Sequence, residues 1–316
     1  MPRTSSFHAA YDAVLDRWPG PVEAVDLPTP YGVTRVNSRG PADGPALVLL
    51  PGGGATSTVW GACAAAGAVR GHRVHAVDLV GDPGLSVPAP GRPIRAVGDL
   101  VGWLDAVIDG LRPQEQGGGE RGPVALGGHS YGAWVAAHYA ARRPGRLGRL
   151  VLLDPTQVFA GLRLGYVLHA LPMLARPTPG RIRSFLAWET GGAALDPAWL
   201  RLQEETAGYP GVRPVTGPRP DLAELAKQPG PGAGTGTGTG TGAGAGAGAG
   251  AGTGAGTGSG LRVDILFAEL ARCHDAGRAA RAARGALPGA HVDVLPGVAH
   301  HALPLTAAGE IARRIF

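Results

Sequence analysis

The chain has 316 residues, 44% of them apolar, enough to bury the core of one large domain with room for an inserted unit. It carries a net charge of +5 and a pI near 9.7, but arginines and acids are scattered through most segments. No dense or aromatic-interleaved basic block points to nucleic acid. Lys227 is the only lysine among many Ala, Gly, Pro and Arg residues, so the high pI reads as the compositional bias of GC-rich coding.

Met1 to Leu15 lacks a basic stretch followed by an apolar core, and no run approaches the ~20 apolar residues of a membrane span. The expectation is a soluble cytoplasmic protein with no membrane partner. Residues 22–37 alternate through a turn at Pro28-Thr29-Pro30-Tyr31-Gly32, which predicts an opening hairpin. Ala46 to Leu50 is a short apolar run stopped by Pro51-Gly52-Gly53-Gly54, the pattern of a strand buried on both faces. A helix is predicted over Thr56 to Val69, a second buried strand over Val74 to Asp78, and a helix over Ile94 to Leu111. Val124-Ala125-Leu126 leads through a glycine pair to Ser130 and a helix from Tyr131 to Arg143, and Leu150 to Asp154 is the next strand. Strands alternating with helices at this spacing predict an α/β fold, a mostly parallel sheet covered on both faces.

The alternation lapses over residues 160–228, where helical segments (Leu164 to Leu174, Arg181 to Glu189, Ala198 to Thr206) are separated by Pro and Gly, as in an inserted helical cap or lid. From Pro229 to Gly260 glycine takes every second position, which predicts a flexible disordered linker rather than ordered structure. The β/α pattern resumes with Val263 to Phe267, a helix over Ala276 to Leu287, a strand over Val292 to Leu295, and a short helix after Leu305. The chain thus divides into core residues 1–159, cap 160–228, linker 229–260 and core 261–316.

Gly128-His129-Ser130-Tyr131-Gly132 has the G-x-S-x-G form, in which a serine sits on a sharp strand-to-helix turn with its Oγ in a cleft. In a chain with 54 glycines the pattern alone is weak evidence; the apolar strand before it and the small-residue helix after it give it weight. Pro51-Gly52-Gly53-Gly54 closes an earlier strand, and glycines there let backbone N–H groups approach a developing oxyanion. Gly53 and Tyr131 N–H are the candidate donors. Gly297-Val298-Ala299-His300 follows the last strand, where a loop at the sheet edge delivers a general base to the serine. His301 is the neighbouring alternative. Cys63 and Cys273 form no disulfide framework and have no metal-ligand spacing, so neither metal nor organic cofactor is expected.

Together these features resemble the α/β-hydrolase superfamily over nearly the whole chain apart from 229–260, and most of all its small bacterial esterase-like members. The resemblance implies an α/β-hydrolase fold with Gly128 to Gly132 as nucleophile elbow, Leu49 to Gly54 as oxyanion loop and Gly297 to His300 as histidine loop. Pro51 departs from the family's usual histidine. The family's acid usually follows the penultimate strand, where this chain has Ala271. Asp154, at a strand end that some members use, is the favoured acid, with Glu269 and Asp275 as alternatives. The expected activity is hydrolysis of a small, hydrophobic carboxylic ester or related acyl compound through an acyl-enzyme. The same residues would also suit a thioesterase, a C–C hydrolase or an acyl transferase, or a degenerate protein that binds a small apolar ligand without turnover.

Overall fold

A computed structural model describes residues 5–65, 71–111, 123–209, 214–227 and 260–315. The strands are β1 (Glu23–Thr29), β2 (Gly32–Arg39), β3 (Ala46–Leu50), β4 (Arg73–Val77), β5 (Val87–Pro88), β6 (Val124–His129), β7 (Leu147–Leu153), β8 (Arg262–Ala268) and β9 (His291–Leu295). The helices are α1 (Ser5–Leu15), α2 (Gly61–Ala65), α3 (Val97–Leu111), α4 (Tyr131–Arg142), α5 (Leu164–Ala175), α6 (Pro179–Glu189), α7 (Pro197–Glu205), α8 (Ala223–Ala226), α9 (Ala276–Ala286), α10 (Leu303–Thr306) and α11 (Ala308–Ile315).

The sheet runs in the order β1-β2-β4-β3-β6-β7-β8-β9, with the short β5 beside β2. From β4 to β9 all pairings are parallel, and β1 and β2 join antiparallel at one edge. Alternation along each central strand sends side chains to two separate cores. Val48 and Leu50 of β3, Leu150 and Leu152 of β7, and Ile265 and Phe267 of β8 pack with α3, α4 and α9. Leu47 and Leu49, Val151 and Leu153, and Leu266 and Ala268 pack on the other face with α1, α2, α6, α7 and α11. A run such as Ala46 to Leu50 is therefore apolar without alternation because both faces are covered. The parallel registers Leu153↔Leu266 and Ala268↔Leu295 align the carboxyl ends of β7, β8 and β9, so the loops that follow them meet at one edge.

One predicted element differs locally, and two others carry details the sequence expectations leave open. The segment predicted as a helix from Thr56 begins as a 3₁₀ turn, Ser57–Trp60, because the Ser57 N–H is drawn to Asp78 Oδ1 at 2.7 Å; residues 66–69 of that prediction lie outside the described residues. α1 buries Phe7, Ala10, Tyr11 and Val14, and its Tyr11 hydroxyl donates to Asp78 Oδ2 at 3.0 Å. In α5 only Ala170 is buried, and Leu164, Leu168, Leu171 and Leu174 face outward, so the apolar content there is not spent on the core. The glycine-alternating tract lies outside the described residues, apart from Gly260. None of the described helices is long and apolar enough to cross a membrane.

Candidate active site

β6 ends at His129 and α4 starts at Tyr131, leaving Ser130 alone at the turn with φ 53° and ψ −115°. A non-glycine residue in that region is strained, and the surroundings hold it there. Ser130 N–H donates to Leu153 O at 3.0 Å, and its carbonyl accepts from Trp134 N–H at 3.1 Å. The flanking glycines are required by space. A Cβ on Gly128 would lie 2.4 Å from the Gly132 carbonyl, and one on Gly132 would lie 2.3 Å from Pro51 O.

His300, on the loop after β9, brings Nε2 within 2.8 Å of Ser130 Oγ. Its Nδ1 is 2.5 Å from Asp154 Oδ2. Asp154 follows β7 with φ 43°, and its N–H donates to Leu266 O at 2.7 Å. Both side chains are buried. Burial favours the neutral form of Asp154, but hydrogen bonds from His274 and His300 outweigh it and hold its pKa below the usual carboxylate range. For His300 burial opposes charging, while Cys273 and Asp154 favour it, and the balance lies well above the usual histidine value. The structure thus joins Ser130, His300 and Asp154 in one hydrogen-bonded chain. The other candidate acids stand apart from it: Glu269 is exposed and accepts from Gly297 N–H at 2.8 Å, and Asp275 caps α9 by accepting from Arg278 N–H at 2.8 Å.

Several neighbours carry no signal in the sequence. His274 Nε2 is 2.9 Å from Asp154 Oδ1, which also accepts from Ala268 N–H at 3.1 Å. Cys273 Sγ lies 3.4 Å from His274 Nδ1 and 3.6 Å from His300 Nδ1. Asp154, Cys273 and His274 place ligand-type atoms within 4.8 Å of one another, a donor set suited to a borderline cation, yet each of these groups is already engaged in hydrogen bonds. Burial, with His300 and His301 nearby, keeps His129 well below the ordinary histidine pKa. As a neutral ring it donates Nε2–H to the His300 carbonyl at 3.0 Å and so braces the histidine loop. His301 turns the other way, its Nδ1 2.9 Å from Oε2 of the buried Glu189 on α6. Burial opposes the charge on Glu189, but the His301 contacts prevail and lower its pKa.

Gly52 to Ala55 form a turn closed by Ala55 N–H to Gly52 O, and Gly54 N–H donates to Asp82 Oδ2 at 3.1 Å. Burial pushes the Asp82 pKa up to about 6 despite that bond. A Cβ on Gly52 would lie 3.3 Å from Ser130 Cβ, and one on Gly53 3.5 Å from Tyr131 Cβ, so this loop adjoins the serine turn. Tyr131 opens α4, so its N–H has no acceptor within the helix. A cavity of about 470 Å³ extends from Gly53 and His301 to Ile182, Phe185 and Leu186 of α6 and Gln203 of α7.

A family model described as the alpha/beta hydrolase family matches residues 47–314. Carboxylesterase YbfK of Bacillus subtilis (strain 168) is 33% identical over 186 residues, 58% of this chain and 58% of that protein. An uncharacterized carboxylesterase, nap, of the same organism is 29% identical over 182 residues, 58% of this chain and 56% of that protein. The aligned stretch therefore spans less than two thirds of these curated relatives. In fold, the crystal structure of carboxylesterase CesB (YbfK) from Bacillus subtilis superposes with a TM-score of 0.77 at 22% identity, covering 98% of this chain and 97% of that one. The naproxen esterase from Bacillus subtilis gives 0.76 at 21% identity, over 99% and 98%. With the family model spanning most of its length and the same fold in these structures, the chain belongs to the alpha/beta hydrolase family.

Proposed function

We propose that this protein hydrolyses small, hydrophobic carboxylic esters. The observation that carries the reading is the continuous chain Ser130 Oγ–His300–Asp154, at 2.8 and 2.5 Å, beside a cavity with apolar walls. His300 Nε2 takes the serine proton as Oγ attacks the ester carbonyl. Asp154 fixes the tautomer in which Nδ1 carries the other proton, and stabilises the imidazolium that forms. Gly53 and Tyr131 N–H receive the oxyanion, the alcohol leaves with the proton held by His300, and water then cleaves the acyl-enzyme. Two carboxylesterases among the relatives support the ester over other acyl compounds. The helices from α5 to α8 act as a cap that excludes water from the cavity. We place the protein in the cytoplasm as part of the same reading, because Cys63 and Cys273 are both free thiols.

A fluorophosphonate probe tests the reading. The wild-type chain should gain one covalent adduct on Ser130, located by peptide mass spectrometry, and should turn over p-nitrophenyl esters with a preference set by acyl length. Failure to label, with the chain folded, would favour a ligand-binding protein without turnover. A second expectation concerns the glycine-alternating tract. Deleting residues 230–259 should leave kcat/KM within about twofold, since Ser130, His300, Asp154 and the cavity walls all lie outside that tract. A large loss in that comparison would give the tract a part in the site.

A further inference from the structure

We infer that His274 is a positioning residue of the triad, clamping Asp154 through Oδ1 and sharing with His300 the carboxylate that serves it. The inference rests on the triad reading above. Asp154 has two oxygens and both are engaged: Oδ2 by His300 Nδ1 at 2.5 Å, Oδ1 by His274 Nε2 at 2.9 Å and by Ala268 N–H at 3.1 Å. A carboxylate held at one oxygen alone can swing about its Cβ–Cγ bond; donors on both sides leave it one orientation. His274 is itself held, its other ring nitrogen 3.4 Å from Cys273 Sγ and its ring edge-on to Phe267 with centroids 5.7 Å apart.

The second consequence is electrostatic. Burial opposes charge on His274, but Asp154 and Cys273 outweigh it and its pKa is raised to about 9, so the ring is an imidazolium at neutral pH. Asp154 then shares its two oxygens between His274 and His300, with the shift of His274 favouring its protonated ring. A second imidazolium on the same carboxylate opposes the protonation of His300, whose pKa Cys273 and Asp154 hold well above the usual histidine value. The other groups facing the pair are Cys273 from the loop after β8, His129 at the end of β6, Tyr166 on α5, and His301 with Glu189 on α6. His274→Gln keeps an N–H donor for Oδ1 and removes the charge.

The test follows the His300 and His274 rings by long-range ¹H–¹⁵N correlation during pH titration, a readout that needs no turnover. In the wild type His274 should stay doubly protonated past neutral pH. In His274→Gln the His300 titration should move up by about one pH unit, and the acid limb of kcat/KM with it. His274→Leu, which has no donor, should lower the plateau about 10²-fold. A role in packing alone would lower thermal stability and leave the titration where it was. A wild-type His274 that is neutral at pH 7, or a His300 titration unmoved or lowered in His274→Gln, overturns the proposal. A shifted titration in a protein without esterase turnover would sink the hydrolase reading and leave the clamp standing.

Discussion

Replacing Ser130 by alanine is expected to lower kcat/KM for a short p-nitrophenyl ester by about 10⁴- to 10⁶-fold. The substitution removes Oγ, the atom 2.8 Å from His300 Nε2, and little else. The strained turn is held by backbone bonds to Leu153 O and from Trp134 N–H, both of which alanine keeps. Thermal unfolding should therefore barely change, and the loss in rate can be assigned to the missing hydroxyl. Fluorophosphonate labelling should vanish with it. Retention of more than a tenth of wild-type kcat/KM by a pure preparation would remove Ser130 from the chemistry.

Asp154→Asn is expected to lower kcat about 10⁴-fold, the loss expected when a triad base is held in the wrong tautomer. The amide carries one acceptor and one donor where the carboxylate has two acceptors. If its NH₂ replaces Oδ1, it meets both His274 Nε2–H and Ala268 N–H; if it replaces Oδ2, it meets only His300 Nδ1. The second arrangement has fewer donor–donor clashes. It pushes the His300 proton onto Nε2, where it points at Ser130 and cannot accept a proton. Glu269→Gln keeps an acceptor for Gly297 N–H, removes only an exposed charge and should stay within about threefold of wild type. Steady-state kinetics on both variants separate the two acids, and the reverse ranking would move the acid to Glu269.

Much of this is legible in the sequence because the signals are local. Ser130 sits between glycines on a strand-to-helix junction and His300 follows the last strand, so each is marked by its own flanks, whereas the flanks of Asp154 leave Glu269 and Asp275 open beside it and only the contact with His300 sets it apart. The parallel sheet is legible for the same reason, since Ala46 to Leu50 and Leu150 to Leu153 are apolar on both faces. His274 is different. Its role depends on a partner 120 residues away, and the Cys273-His274-Asp275 stretch carries no periodicity or glycine mark. Glu189 and His301 meet across 112 residues, and nothing in the helical pattern of α6 says that its last residue turns inward. α1 is a milder case. Phe7, Ala10, Tyr11 and Val14 have helical spacing, but what makes the segment part of the fold is the Tyr11 hydroxyl at Asp78, a contact across 67 residues.

Asp154 takes its position from strand β8, through Leu266 O and Ala268 N–H, even though more than a hundred residues separate the two strands in the chain. Its coordinates are indexed by the register Leu153↔Leu266 and not by the amount of polypeptide between. Sequences that differ in the length of residues 229–260 should therefore leave Asp154 in the same place, fixed by its bonds to Leu266 and Ala268.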